Sequence, residues 1–102
     1  MKKFTIYLGL NDKDTKKQEM ETIEAYKLLN KLILNDFDGA TIYSADGIFK
    51  HDNGEIVIEK TFKAELFTDN ETSVKNLCNT LKVVFNQESV ILQSEVVTSE
   101  FI

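Results

Sequence analysis

The chain has 102 residues, of which 42% are hydrophobic and 28% charged, as expected for one ordinary globular domain. Its net charge is −5, with twelve lysines and no arginine, so direct nucleic-acid binding is not expected. No stretch reaches the roughly 20 apolar residues of a membrane helix, and the first residues lack the apolar block of a signal peptide. With a single cysteine, Cys78, we expect a cytoplasmic protein.

The first predicted elements are a strand and a helix. Phe4, Ile6 and Leu8 recur at every second position, which is the period of a half-buried strand. A polar segment, residues 11–18, then leads to a helix that ends near Asn35. The apolar positions of this helix predict an inward face made of Ile23, Ala25, Tyr26, Leu29, Leu32 and Ile33.

A long β-hairpin is predicted after the first helix. Residues 40–50 and 55–68 are rich in β-branched and aromatic side chains, and Asn53 and Gly54 lie between them. An Asn-Gly pair between two such segments is a strong hairpin signal. Asp46 and Gly47 predict a bulge or a bend within the first of these strands, because glycine weakens a regular strand.

A second helix and a last strand complete the predicted elements. Asn70 and Thr68 are competing N-cap candidates. The helix that follows carries apolar residues at helical spacing, namely Val74, Leu77, Cys78, Leu81, Val84 and Phe85. Residues 89–97 predict the final strand, and the ordered core is expected to span about residues 3–97.

The order β-α-β-β-α-β predicts a ferredoxin-like α+β domain over residues 1–102, with two helices on one face of a four-stranded antiparallel sheet. The strand residues that alternate with the core residues point to the opposite, open face of the sheet, and about half of them are apolar. Exposed apolar surface usually marks a contact. We therefore predict a homodimer whose interface includes Tyr7, Tyr43, Val57 and Ile91.

No group of residues has the pattern of an active site. His51 is the only histidine and stands beside the hairpin turn, and Cys78 belongs to the apolar stripe of the second helix. Asp12-Lys13-Asp14 begins like a calcium loop but lacks the glycine and the glutamate that such a loop needs. The scattered glycines form no phosphate-binding loop. The sequence predicts no catalytic residue, no cofactor and no metal, and a protein that is not an enzyme.

Four runs of the sequence resemble an uncharacterised family of small bacterial proteins, a domain of unknown function with a ferredoxin-like fold. They are YLGLNDKD, FDGATIYSADG, HDNGEIVIE and FNQESV, and the likeness extends from about Tyr7 to Leu92. It implies the fold and no catalytic residue. In size and acidity the chain is also similar to small proteins of phages and plasmids that block CRISPR effectors or other host defences.

Two functions are compatible with these features. The first is a non-enzymatic, mobile-element-encoded inhibitor of a host defence protein, of the anti-CRISPR kind, which binds a basic surface on its protein partner. Its predicted contact residues are Asp12, Asp14, Glu19, Asp36 and Asp38. The alternative is a homodimeric small-molecule-binding module or a monooxygenase-like enzyme, with a pocket between the sheet and the helices.

Overall fold

A computed structural model describes residues 1–102 and contains two helices and four strands. They are β1 Lys2–Gly9, α1 Thr22–Asp36, β2 Thr41–Lys50, β3 Ile56–Thr68, α2 Glu71–Val84 and β4 Ile91–Val96. The strands form one antiparallel sheet in the order β2-β3-β1-β4. The predicted ferredoxin-like α+β fold is confirmed.

The core lies between the helices and the two central strands. Strand β1 directs Phe4, Ile6 and Leu8 toward the helices, and the antiparallel register places them opposite Leu66, Ala64 and Phe62 of β3. All six side chains are buried. The two helices complete the core with Ala25, Leu29, Ile33, Val74, Leu77, Cys78 and Leu81.

The predicted inward face of α1 needs one correction. Ala25, Leu29 and Ile33 are buried, and the Tyr26 ring lies 5.8 Å from that of the core residue Phe62 although Tyr26 is 40% exposed. Ile23, in contrast, is 57% exposed. The buried residues recur every four positions, so they mark the centre of the apolar face of α1. Ile23 precedes Ala25 by two residues, which at 3.6 residues per turn places it on the opposite side of the helix.

Helix α2 begins and packs as its sequence predicts. The Asn70 side chain caps it by accepting a hydrogen bond from the Ser73 backbone N–H at 3.1 Å, which satisfies one of the free donors of the first turn. Cys78 is buried in the apolar stripe, and this burial raises the pKa of its thiol. A raised pKa disfavours the reactive thiolate.

The hairpin formed by β2 and β3 is regular and projects beyond the sheet. Asp46 pairs with Lys60 and Gly47 with Glu59 without interruption, so the predicted bulge at this point is absent. Gly9, the last residue of β1, pairs with Thr61. Residues 47–59, the part of the hairpin nearer its turn, therefore extend past the end of β1 and are called the hairpin arm. They contribute to an elongated molecule of 48 × 24 × 23 Å.

Neither helix is long and apolar enough to span a lipid bilayer.

Two substitutions in α2 test the packing of the core. Leu81 is fully buried and Val83, on the same helix, is 81% exposed. We expect Leu81→Ala to lower the free energy of unfolding by about 2–5 kcal/mol, because it removes buried methyl groups and leaves a cavity. We expect Val83→Ala to change it by less than about 0.5 kcal/mol. Urea denaturation measures both, and equal losses would contradict this helix orientation.

Candidate functional site

The cleft with the richest mixture of chemical groups lies on the open face of the sheet, where β1 ends. Its volume is about 560 Å³. Its floor is formed by Tyr7, Gly9 and Thr61, and the hairpin arm makes one wall. The opposite wall comes from the loop after β1 and the loop before β4, and includes Asn11, Asp12, Lys13, Lys16, Gln87, Glu88 and Ser89.

This location corrects the prediction of a pocket between the sheet and the helices. That layer is filled by 15 buried apolar residues. The helices and the cleft therefore lie on opposite faces of the sheet. Along each central strand, residues that line the cleft alternate with residues that are buried in the core.

Glu59 is held at the floor of the cleft by a close contact and a hydrogen bond. Its carboxylate covers Gly9 so closely that a Cβ at residue 9 would lie 2.6 Å from the carboxylate atoms. The Asn11 backbone N–H donates to Glu59 Oε2 at 2.8 Å. Any other residue at position 9 would displace this carboxylate from its observed position. Glu59 is partly buried beside the open space of the cleft.

The loop after β1 forms a closed turn around the Asp12 carboxylate. Asp12 Oδ1 accepts hydrogen bonds from the backbone N–H groups of Asp14 at 2.8 Å and Thr15 at 3.0 Å. The Asn86 side-chain amide donates to Asp12 Oδ2 and to Asp14 Oδ2, both at 2.9 Å. These bonds, the one from Asn86 foremost, lower the pKa of Asp12. The carboxylate thus stabilises the loop that makes one rim of the cleft.

Gln87 joins the two loops on the buried side of the same wall. It is 8% exposed and is one of two buried polar residues in the chain. Its side-chain amide donates to the backbone carbonyl of Asn11 at 2.8 Å and to that of Phe85 at 3.1 Å. Both amide hydrogens of Gln87 are therefore used within the protein.

Apolar and aromatic groups line the rest of the cleft. Phe49, Val57 and Ile91 also line the cleft, and Tyr7 adds an aromatic ring at its floor. The His51 ring meets Phe49 edge-on at a centroid distance of 5.3 Å. His51 is the exposed turn residue that the sequence predicts, and it also lies at the edge of the cleft. A flat apolar ligand group would find two aromatic rings here, next to the Glu59 carboxylate.

The residues predicted for a homodimer interface lie on the open face as expected. Tyr7, Val57 and Ile91 line the cleft. Tyr43 lies farther along the sheet, where its hydroxyl donates to Glu65 Oε1 at 3.2 Å. The interface itself stays a prediction, and a second copy on this face would cover the cleft.

The acidic residues predicted to bind a partner do not form one surface. Asp12 and Asp14 lie beside the cleft, and Glu19 is exposed ahead of α1. Asp36 and Asp38 are at the other end of the sheet, in a second cleft of about 590 Å³ that Phe101 also lines. Their role in binding a partner stays a prediction.

The sequence gives little indication of Glu59, Asn11 and Gln87. Glu59 occupies an ordinary strand position, and Asn11 and Gln87 lie in loops that are 76 residues apart in the sequence. The available signal is Gly9, since a glycine at the end of a buried strand indicates a close approach by another group.

A pH titration tests the role of Asp12 in the loop. Because the pKa of Asp12 is lowered in the folded protein, its carboxylate stabilises the loop above the ordinary value of 3.8, and this contribution is lost as pH falls through the lower folded value. We expect the amide NMR signal of Thr15, which donates to Asp12 Oδ1, to shift with a midpoint below pH 3.8. In Asp12→Asn this acid transition should vanish. Asp38→Asn is the matched control and should keep it, and a transition above the ordinary value would refute the assignment.

Comparison with solved structures shows where this fold occurs. A phage SAM lyase in complex with S-methyl-5'-thioadenosine has a TM-score of 0.68 and 19% sequence identity, over 92% of this chain and 79% of that chain. The apo state of a phage SAM lyase gives the same score and identity, over 92% and 78%. At this identity the similarity shows a shared fold. No match was found among curated proteins.

The solved structures correct the sequence-based prediction that the chain is not an enzyme. That prediction rested on the lack of a familiar catalytic motif, and the same fold belongs to a lyase. The lack of a motif is therefore no argument against catalysis on this scaffold. The resemblance to a domain of unknown function is confirmed, because a family profile matches almost the whole chain. The chain belongs to the DUF3574 family, described as a protein of unknown function, whose profile matches residues 3–101.

Proposed function

We propose that the cleft at the end of β1 is the active site of an enzyme that cleaves a carbon–sulfur bond in an adenosyl sulfonium compound, with S-adenosylmethionine as the substrate class. The observation that carries the proposal is the Glu59 carboxylate. It is held over Gly9 by the Asn11 N–H and faces a cleft that aromatic residues line. The shared fold with the SAM lyase supports the choice of substrate.

The charge of the site suits a sulfonium ion. A sulfonium sulfur bears a fixed positive charge, which a partly buried carboxylate attracts more strongly than it would in open water. Aromatic faces also attract cations. Glu59 lines the cleft and offers the first of these interactions. The Lys63 ammonium already lies over the Tyr7 ring at 5.9 Å, so the carboxylate is the main attraction for a cation.

The size and the remaining lining suit the rest of such a molecule. A volume of about 560 Å³ lies within the range of roughly 300–1,000 Å³ of small-molecule sites. Phe49, which is 46% exposed, supplies flat apolar surface for a purine ring. Lys13 and Lys16 at the rim make no ion pair within the chain and can meet the carboxylate of an amino-acid moiety.

The chemistry can be completed within the substrate. When the carbon–sulfur bond breaks, its electron pair stays on sulfur, which becomes a neutral thioether. The carbon that leaves sulfur then forms a new bond in one of two ways. It is attacked by the substrate's own carboxylate, or it forms a double bond with the adjacent carbon, which loses a proton to a base. In the second route we assign the role of this base to Glu59. In the first route its charge contributes to binding of the sulfonium and not to the rate, because the positive charge on sulfur disappears as the bond breaks.

The inhibition of a host defence protein through acidic residues is a separate proposal. Asp36 and Asp38 favour it most, because they are exposed, form no ion pair, and lie away from the cleft. Charge reversal at these two residues should abolish binding of a basic partner and leave turnover in the cleft unchanged.

Binding of two ligands to purified protein tests the active-site proposal. We expect Glu59→Gln to weaken S-adenosylmethionine binding at least about tenfold, since a buried charge pair contributes more than about 1.4 kcal/mol. Binding of uncharged S-methyl-5'-thioadenosine should change less than about threefold. Isothermal titration calorimetry measures both affinities. Glu95→Gln removes a carboxylate from the same face outside the cleft and should leave both unchanged.

Two results would refute this function. One is that the wild-type protein binds neither ligand at millimolar concentration. The other is that Glu59→Gln weakens both ligands equally, because the carboxylate would then not recognise the sulfonium charge. Chromatographic detection of S-methyl-5'-thioadenosine released from S-adenosylmethionine separates an enzyme from a protein that only binds the substrate.

Self-association through the open face is the remaining proposal for this surface. Tyr7 and Ile91 line the cleft, so a second copy seated on them would enclose a ligand. We expect light scattering at tens of micromolar to give a mass above that of one chain, and Ile91→Asp, at a residue that is 59% exposed, to reduce it to a monomer. Val83→Asp, on the helix side, is the matched control. A strictly monomeric wild type would contradict this interface.

A further inference from the structure

We infer that Gln87 is a positioning residue for Glu59 and acts through the backbone of Asn11. Its meaning for catalysis rests on the proposed function, and its geometry rests on hydrogen bonds within the chain. It assigns a task to a buried polar side chain that touches no reacting group itself.

The first step is the fixation of Asn11 by Gln87. The Gln87 amide donates to the carbonyl of Asn11 at 2.8 Å, and its second bond, to the Phe85 carbonyl at 3.1 Å, fixes the amide itself at the end of α2. With 8% exposure, little water can replace these bonds. Burying an amide is costly unless it is hydrogen-bonded, so a buried glutamine with both hydrogens used holds its acceptors firmly.

The second step is the fixation of Glu59 by Asn11. The peptide group on the other side of the Asn11 Cα carries the N–H that donates to Glu59 Oε2 at 2.8 Å. Asn11 also forms an isolated antiparallel bridge with Gln18. When the carbonyl of Asn11 is held, rotation about its backbone dihedrals is restricted, and the direction of its N–H is set.

The third step is the effect on the carboxylate. Glu59 has a flexible side chain, and the Asn11 N–H is the one group of the chain that donates a hydrogen bond to its carboxylate. Gly9 offers it space but no hydrogen bond. The orientation of the carboxylate toward a ligand therefore depends on Asn11, and through Asn11 on Gln87.

If Gln87 only connected the two loops, then removing another connection between them should affect the Asn11–Glu59 contact in the same way. Asn86, the residue before Gln87, also connects these loops, through Asp12 and Asp14. Asn86 has a φ of 48°, which glycine adopts without strain. Asn86→Gly therefore removes one loop connection and leaves the contacts of Gln87, Asn11 and Glu59 in place, so it is the matched control.

The decisive measurement uses the ligand-free protein. The Asn11 amide proton reports on its bond to Glu59, and Glu59→Gln calibrates the change in its NMR chemical shift. We expect Gln87→Leu to change this shift in the same direction and to reduce the protection of the amide from hydrogen exchange at least about tenfold. Asn86→Gly should change neither quantity. An Asn11 amide that is unaffected by Gln87→Leu would overturn the inference.

A second variant keeps the test valid if Gln87→Leu does not fold. Gln87→Glu has the same size, and its ionised carboxylate cannot donate to the carbonyls of Asn11 and Phe85. We expect the same loss of protection at Asn11 near neutral pH, in a protein whose circular dichroism remains that of the wild type. Full protection at Asn11 in this folded variant would also overturn the inference.

Ligand binding separates this inference from the proposed function. If the wild type binds S-adenosylmethionine, Gln87→Leu should weaken it at least about fivefold more than it weakens S-methyl-5'-thioadenosine, the selectivity expected of a displaced carboxylate. Equal weakening of both ligands would overturn the positioning role. If the wild type binds neither ligand, the proposed function fails, and the Asn11 measurements still decide whether Gln87 orients Glu59.

Discussion

The antiparallel pairing of β1 with β3 is the constraint on which the other features of this protein depend. It places Phe4 opposite Leu66 and Leu8 opposite Phe62, so one face of the sheet becomes the floor of the core. The same register places Gly9 at the level of Thr61 and sets the end of β1 beside Glu59. Because side chains alternate between faces with a period of two, a slip of one residue would expose the core and also move Glu59 away from Gly9.

The open face carries a network of charges as well as apolar groups. Lys3 lies 3.4 Å from Glu65 and 3.1 Å from Glu95, and the hydrogen bond to Glu95, followed by the charge of Glu65, raises the pKa of Lys3. Lys63 lies over the rings of Tyr7 and Tyr43 at 5.9 Å and 5.3 Å. One end of the face is thus already occupied by internal pairs, and the cleft holds the groups that remain available to a ligand.

Elements with a strong local signal could be predicted from the sequence. The alternation in β1, the Asn53-Gly54 turn and the Asn70 cap each specify structure within a few residues, and each is present. The candidate site could not be predicted in the same way. Asn11 and Glu59 are 48 residues apart, and their contact arises only when the strands pair. A glutamate on a strand and a glutamine in a loop have no local pattern that distinguishes them from ordinary surface residues.

The hairpin arm has a consequence for how this family can diversify. Its residues pair only with one another beyond the end of β1, so its length is independent of the register of the core. Adding or deleting two residues in each strand lengthens or shortens the arm by two cross-strand pairs, and the faces on which the remaining residues lie are preserved because side chains alternate with a period of two. Relatives can therefore acquire a deeper or a shallower cleft through small insertions at the turn, and so admit ligands of different length on an unchanged domain.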